Sequence, residues 1–322
     1  MIRTLRGAIA ALLITAAPSA FAALYSSIYV FGDSLSDVGN NALVFDALGA
    51  PAPAGTLRTP GPAPCLPDFI PTCPYASNRY SNGPVWVEYL AQALGNGPLL
   101  PSLAGGTDFA YGGARVSPAN PGGFPLNLTS QVAQFVAQPG PAAATALYII
   151  AGGGNDARDV INSAGAGLAT TAATYAAGVS AMINSLYSEG ARNFLVVNVP
   201  DVGRTPALQA AGPGAVGLAS FVSSTLDTAL AGALAALSPA IRSGLHTLDA
   251  FNLTLGLSDL TSACAFTCAN GASNTFFWDG IHPTTAGHQV IEQAALRALP
   301  EPGMIALLLM LSLAGFAARR RR

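Results

Sequence analysis

A serine, an aspartate and a histidine in this sequence have the types and spacing that nucleophilic catalysis requires. Ser34 lies in the motif GDSL at residues 32–35, and His282 lies three residues after Asp279. A serine hydroxyl is a poor nucleophile until a base takes its proton, and histidine is the best such base near neutral pH. The carboxylate of Asp279 would hold one imidazole nitrogen while the other nitrogen faces Ser34. A Ser-His-Asp triad of this kind predicts acyl transfer to water through an acyl-Ser34 intermediate.

Small and polar residues follow several apolar segments of the chain, at points where it must turn. The segments 32–35, 112–113 and 153–156 each follow a short apolar run, and residues 279–282 precede the last predicted helix. Taken alone, Gly-Asp-Ser is often an ordinary turn and Gly-Asn-Asp an ordinary helix N-cap. In open parallel sheets, however, binding sites form beyond the carboxyl ends of the strands. The four segments together predict one shared site.

The elements that must position these residues alternate between strand and helix. Strands are predicted at residues 27–31, 107–111, 147–151, 194–199 and 245–249. Helices are predicted at residues 85–94, 168–188, 218–237 and 285–299. This alternation predicts a parallel sheet covered by helices on both faces, in one domain over residues 23–299. The Pro- and Gly-rich excursion 49–84 is expected to be a functional loop or lid.

In this order, the motifs resemble those of the GDSL lipase/esterase family, also called the SGNH hydrolases. The resemblance is carried by VFGDSLSDVGN at 30–40, DFAYGGA at 108–114, GGND at 153–156 and WDGIHPT at 278–284, with support from RYSNGPVW at 79–86 and NVPDVG at 198–203. It covers nearly the whole body of the chain. It implies an esterase or lipase that needs no metal or organic cofactor. The fold it implies is α/β, a three-layer α/β/α sandwich with a five-stranded, parallel, flavodoxin-like sheet.

The resemblance also implies which groups would hold the oxyanion of the tetrahedral intermediate. These are the backbone N–H of Ser34, the backbone N–H of Gly113 and the side-chain amide of Asn155. Gly113 is preferred to Gly112 because it lies five positions after Asp108. The family usually has asparagine where this chain has Asp108. Whether an aspartate supports the glycine turn in the same way is therefore an open question.

Four other polar residues are expected to play structural parts. Asp33 is predicted to brace the nucleophile turn, and Asp37 to cap the segment that follows it. His246 and His288 are predicted to be structural, because neither has the aspartate partner that His282 has.

The composition describes a folded protein with a weakly charged body. Of the 322 residues, 51% are hydrophobic and 9% are charged, and all 14 basic residues are arginine. The two end segments hold six of these arginines and one of the 16 acids, so the body has eight arginines against 15 acids. A body with a net charge near −7 argues against nucleic acid, whose phosphates need a basic surface.

Both ends of the chain resemble targeting segments. Arg3 and Arg6, the apolar run 8–17 and the A-x-A site at 20–22 predict a signal peptide over residues 1–22. Export would place the protein in the periplasm, at the cell surface or outside a Gram-negative bacterium. The segment 300–322 resembles a PEP-CTERM sorting signal, which implies removal by an exosortase, a membrane sorting protease. Its apolar run is shorter than the roughly 20 residues that span a bilayer, and a plain anchor is the alternative.

The four cysteines fit an oxidising compartment. Cys65 and Cys73 lie in one loop, and Cys264 and Cys268 lie in another. Pairing within each loop is the simplest of three possible connectivities. A zinc site would need four ligands brought together, and no histidine lies close in sequence to either pair, so two disulfides are favoured.

Alternatives to a lipase or simple esterase stay open at this point. The substrate could be an acetylated extracellular polysaccharide, which acyl-chain preference would distinguish from lipid. The chain could also be a non-catalytic surface or matrix protein on the same fold, although the complete set of triad and oxyanion residues argues against this. A phosphodiesterase or sulfatase would need a metal cluster, and the sequence shows none.

Overall fold

The structure is a computed structural model that describes residues 24–47, 78–116, 123–258 and 275–300. The predicted signal peptide, all four cysteines, residues 301–322 of the predicted sorting segment and most of the excursion 49–84 lie outside these ranges. The expectations for those segments therefore stay predictions.

The centre of the fold is a sheet of four parallel strands in the order β1-β2-β3-β4. The strands are β1 (Ile28–Gly32), β2 (Leu147–Ala151), β3 (Asn193–Val197) and β4 (Leu245–Leu248). Their register pairs the last residues of neighbouring strands, so that Gly32 lies beside Ala151 and Ala151 beside Val197. The carboxyl ends of the strands therefore form one edge of the sheet, as the sequence predicted.

In the described residues the sheet has four strands, one fewer than predicted, because residues 107–111 form only isolated bridges, from Asp108 to Val30 and from Asp108 to Pro101. Three backbone bonds of a parallel ladder form between the two segments, from Val30 N–H to Thr107 O (3.1 Å), from Phe109 N–H to Val30 O (2.8 Å) and from Tyr111 N–H to Gly32 O (3.2 Å). The Gly32 N–H, which lies between the last two, instead donates to Gln131 Oε1 at 2.9 Å. A buried side chain thus takes the place of one backbone acceptor and leaves the ladder incomplete.

Helices cover both faces of the sheet, which confirms the three-layer α/β/α architecture. Alternate residues of β2 enter opposite cores, with Tyr148 and Ile150 in one and Leu147 and Ile149 in the other. The helices are α1 (Asn40–Ala47), α2 (Trp86–Ala93), α3 (Leu128–Val136), α4 (Gly154–Asn162), α5 (Leu168–Ser188), α6 (Pro206–Ala211), α7 (Pro213–Ala235), α8 (Pro239–Arg242), α9 (Ala250–Leu255) and α10 (Thr285–Ala298).

The first core packs α3, α4, α5 and α7 against the sheet, and the second packs α2 and α10. By length and composition α7 could also cross a membrane. Its Val222, Leu226 and Leu230 side chains are buried in the first core.

Candidate active site

Ser34 stands in a tight turn at the carboxyl end of β1. The Asp33 carbonyl oxygen accepts hydrogen bonds from the N–H groups of Ser36 and Asp37, both at 3.0 Å. The Asp33 side chain accepts from the Leu35 N–H at 3.0 Å. Asp33 therefore holds the turn that carries Ser34 through both its carbonyl oxygen and its side chain.

Gln131 of α3 fixes the strand end from which this turn starts. Its side chain is fully buried. It accepts from the Gly32 N–H and donates back to the Gly32 carbonyl, both at 2.9 Å. A side chain at position 32 would also approach the Ala151 carbonyl oxygen to 3.0 Å, so glycine lets the two strands end close together. The sequence analysis missed Gln131, because its partner lies 99 positions away.

Asp279, His282 and Ser34 form a continuous chain of hydrogen-bonding contacts. His282 Nε2 lies 2.9 Å from Ser34 Oγ, and His282 Nδ1 lies 2.8 Å from Asp279 Oδ2. Asp279 and His282 are almost fully buried, whereas Ser34 is half-buried and lines a surface cleft. The structure thus brings together the three residues that the sequence proposed as a triad, although they span 248 positions of the chain.

The carboxylate of Asp279 is held in one orientation by the loop that carries it. Its Oδ1 accepts from the N–H groups of Ile281 and His282, both at 2.7 Å, which leaves Oδ2 for the imidazole. Burial alone would raise the pKa of Asp279, but the charge and hydrogen bonds of His282 and the Ile281 amide together lower it. An ionised Asp279 accepts a hydrogen bond from Nδ1–H, so that the proton stays on Nδ1 and Nε2 keeps its lone pair for the Ser34 hydroxyl.

The three groups proposed for the oxyanion hole lie just after neighbouring extended segments, at the same edge of the sheet. Within the described ranges, the N–H groups of Ser34 and Gly113 make no hydrogen bond. The Gly112 N–H, in contrast, donates to Asp37 Oδ2 at 2.9 Å, which favours Gly113 over Gly112 as a free donor. Gly113 has φ +82°, a left-handed conformation that glycine adopts without strain.

Asn155 lies in the first turn of α4, and two contacts orient its side-chain amide. Its Nδ2 donates to the Ala114 carbonyl at 2.8 Å, and its Oδ1 accepts from Arg158 at 3.0 Å. One of its two Nδ2 hydrogens therefore stays available for a ligand in the cleft. The sequence analysis missed Arg158, although residues three apart on a helix share a face, and this spacing was a usable signal.

Asp37 and Asp108 accept hydrogen bonds from the backbone in and around the turn at residues 111–113. Asp37 accepts from the N–H groups of Gly39 and Asn40 at 2.8 and 2.7 Å, so it caps α1 as expected. Asp108 accepts from Ala110 N–H at 2.8 Å and from Val38 N–H at 2.9 Å. Asp108 therefore joins the backbone just before the glycine turn to Val38, while Asp37 accepts from the Gly112 N–H within the turn at 2.9 Å.

The buried carboxyl groups near the site have raised pKa values. Burial raises the pKa of Asp33 and of Asp37 to about 6, against the lowering effect of the backbone N–H groups that they accept from. Burial and then the charge of Asp37 raise the pKa of Asp108 well above its ordinary value. Within the described part of the chain, no group of three or more His, Cys, Asp or Glu residues is placed to hold a metal ion.

Tyr80 is a further neighbour of His282 that the sequence analysis did not single out. The Tyr80 and His282 rings lie 5.4 Å apart between centroids, and Asn41 Nδ2 donates to the Tyr80 hydroxyl at 2.6 Å. A side chain at Gly112 would approach the Tyr80 ring to 2.3 Å. Tyr80 therefore packs between the glycine turn and the histidine.

His288 is fully buried in α10, and neither ring nitrogen has a hydrogen-bond partner in the part of the chain that the structure describes. Burial, and then the charge of His282, lower the pKa of His288 from 6.5 to about 3. Since the folded pKa lies below the unfolded one, the folded state binds fewer protons, and stability is lost as the pH falls below about 6.5.

We therefore expect His288→Leu to stabilise the protein more at pH 5 than at pH 8. The gain in the free energy of unfolding should be about 2 kcal/mol larger at the lower pH, because only the unfolded wild-type histidine titrates in this range. Urea unfolding of both proteins at the two pH values measures this. His246→Leu is the matched control, since His246 is only partly buried and should give a smaller difference. Equal gains at both pH values would contradict the prediction.

Known proteins resemble this chain over most of its length. The model of the family described as GDSL-like Lipase/Acylhydrolase matches residues 28–295. A GDSL esterase/lipase of Arabidopsis thaliana is 27% identical over 318 residues, which cover 83% of this chain and 87% of the relative. A phosphatidylcholine-sterol acyltransferase of Aeromonas hydrophila is 29% identical over 248 residues, which cover 74% of this chain and 65% of that protein.

Among solved structures, an acetylxylan esterase from Geobacillus stearothermophilus matches with a TM-score of 0.44 and 14% identity, over 84% of this chain and 93% of that one. The family model covers most of the chain, so the chain belongs to the GDSL-like lipase/acylhydrolase family. It is accordingly a carboxylic ester hydrolase.

Proposed function

We propose that the chain is an exported serine esterase that hydrolyses carboxylic esters through an acyl-Ser34 intermediate. The observation that carries this proposal is the unbroken contact chain from Asp279 Oδ2 through the His282 ring to Ser34 Oγ. The His282–Ser34 contact is within the distance at which a base can take the proton of a nucleophile, and the Asp279–His282 contact orients that base.

The proposed reaction runs in two steps. Ser34 Oγ attacks the ester carbonyl carbon while His282 Nε2 takes the hydroxyl proton, and the carbonyl oxygen becomes an oxyanion. When the intermediate collapses, His282 gives its proton to the departing alcohol oxygen, and the acyl group stays on Ser34. A water molecule then attacks the acyl-enzyme with His282 again as base, and the carboxylic acid leaves with Ser34 restored.

In both steps the negative charge develops on the carbonyl oxygen of the substrate. The N–H groups of Ser34 and Gly113 and one Nδ2 hydrogen of Asn155 are the donors that we assign to it. Donors fixed in advance stabilise this charge strongly, because they need not reorganise during the reaction.

Replacing Asn155 by alanine should lower kcat by about 10²- to 10³-fold with a small change in KM, because this donor acts mainly on the transition state. Steady-state kinetics on p-nitrophenyl esters measure the split between the two constants. Asn184→Ala is a matched control, since Asn184 is an exposed asparagine of α5 whose amide bonds only to its own helix. A rise in KM at constant kcat would contradict the oxyanion role.

Covalent labelling tests the proposal as a whole. A fluorophosphonate should label the wild-type protein once, at Ser34, since such reagents trap serines that a neighbouring base activates. Peptide mass spectrometry locates the label, and Ser34→Ala should stay unlabelled. A folded wild-type protein that neither reacts with the phosphonate nor hydrolyses any ester would support the non-catalytic alternative instead.

Export is part of the proposal and rests on the two end segments of the sequence. We propose that residues 1–22 direct secretion, and that an exosortase removes the segment from residue 300 onward. Mass spectrometry of the protein recovered from its native host should then show a mature N-terminus at Ala23 and a shortened C-terminus. An intact tail in the exported protein would favour the plain anchor.

A further inference from the structure

A cavity of about 90 Å³ lies directly beside the cleft that holds Ser34 and His282. It is enclosed by the ends of β2 and β3, by α9 and α10, and by the loop at residues 276–283. Six residues line both the cavity and the cleft, so the two spaces share a wall. These are Asp33, Leu35, Gly154, Pro200, Thr205 and Ile281.

The inner wall of the cavity is mainly apolar. Trp86, Phe276 and Phe277 line it and are at least nine-tenths buried, and Leu253 and Ile291 complete its apolar surface. A space with such walls favours an apolar ligand, because each buried carbon gains contacts and leaves water.

Three polar side chains in the wall are bonded within the protein. The Thr254 hydroxyl donates to the Phe251 carbonyl at 2.8 Å, and the Thr205 hydroxyl donates to the Val202 carbonyl at 2.7 Å. Asp201 Oδ1 accepts from Gly203 N–H at 3.0 Å. A polar ligand would have to compete with these bonds, whereas an apolar chain leaves them intact.

We infer that this cavity binds the acyl chain of the ester and limits that chain to about four to six carbons; the inference rests on the proposed function. At Ser34 the carbonyl oxygen must face the oxyanion donors, and the departing oxygen must face His282. The acyl chain is the third substituent of the carbonyl carbon. Leu35 and Ile281, the apolar neighbours of Ser34 and His282 in sequence, line both spaces and guide that substituent into the cavity.

The size of the cavity sets the length of the acyl chain. An apolar cavity of about 150 Å³ in another protein stays dry and binds benzene, a ligand of six carbons. In proportion, 90 Å³ accommodates about four carbons beyond the reacting carbonyl, as in a pentanoyl group. Each added carbon up to this length should raise kcat/KM about fourfold, because it is buried, and longer chains should gain nothing further.

The wild-type chain-length profile is the first test. On p-nitrophenyl esters from acetate to palmitate, kcat/KM should be highest between butanoate and hexanoate, roughly 15- to 200-fold above acetate. A maximum at acetate, the result expected for a polysaccharide deacetylase, would overturn the inference. A maximum at dodecanoate or longer would overturn it as well.

Two variants then locate the acyl chain. Ala250→Leu fills the cavity, so that it holds about two carbons fewer. The kcat/KM for pentanoate, divided by the kcat/KM for acetate, should therefore fall by tenfold or more. Ile291→Ala enlarges the cavity and should move the maximum to chains about two carbons longer. Ile241→Ala, a core substitution in α8 away from the cavity, should keep the wild-type profile.

Unchanged profiles in both cavity variants, each with a native circular dichroism spectrum, would overturn the inference and leave the serine esterase assignment standing. Ester hydrolysis that persists in Ser34→Ala would instead overturn the proposed function. The two failures are therefore distinguishable in one set of assays.

Discussion

Ser34→Ala is expected to lower kcat for p-nitrophenyl ester hydrolysis by about 10⁵- to 10⁶-fold. The substitution removes the atom that would carry the acyl group, and it leaves His282 Nε2 without the hydroxyl that lies 2.9 Å away. The oxyanion donors remain, so a small residual activity above the uncatalysed rate should persist. Ester assays on the purified variant, with its fold checked by circular dichroism, measure the loss.

Ser36→Ala is the matched control for this variant. Ser36 lies two residues further along the same turn, is fully buried and accepts from Trp86 Nε1 at 3.2 Å. Its loss should lower the free energy of unfolding by about 1 kcal/mol and leave most of the activity.

Adding His282→Ala to Ser34→Ala should lower kcat little further, because the two residues act as a unit. A Ser34→Ala protein within tenfold of the wild-type rate would remove the basis for the serine mechanism.

The sequence was most informative where short-range patterns decide the structure. The structure has β2 and α5 at the predicted residues, because an apolar strand between turns and a long alanine-rich helix are both local signals. The start of α10 at Thr285 also agrees, and Thr284 caps it by accepting from the Gly287 N–H at 3.0 Å. Residue types and chain order likewise predicted that Ser34, Asp279 and His282 would meet.

The sequence was least informative where a distant side chain decides the structure. The sequence of residues 107–111 predicts a strand. The Gly32 N–H, however, donates to the Gln131 side chain instead of a backbone carbonyl of that segment, and no local pattern connects Gly32 with Gln131. The short helices α1, α6, α8 and α9 and the site helices α3 and α4 were not predicted as elements either. Among them, α4 begins at Gly154 after a left-handed Gly153, where a side chain would approach Tyr175 to 2.6 Å. Such contacts join residues that are far apart in the chain, so no local pattern in the sequence shows them.

The hydrogen bonds around Asp279 determine how an asparagine at this position would be oriented. Two backbone N–H groups point at Oδ1, and one imidazole nitrogen faces Oδ2. An asparagine at this position would keep its carbonyl oxygen towards the two N–H donors, because a reversed amide would set NH₂ against both of them. Its NH₂ group would therefore face His282 Nδ1.

Asp279→Asn should consequently be more damaging than Asp279→Ala. An NH₂ group donates to Nδ1 and so places the imidazole proton on Nε2, where it faces Ser34 and cannot accept the hydroxyl proton. We expect kcat to fall by about 10⁴-fold in Asp279→Asn, and by less in Asp279→Ala, where no group enforces the wrong tautomer. Parallel kinetics on one ester measure the order of the two variants. If Asp279→Asn proves as active as Asp279→Ala or more active, the tautomer argument fails.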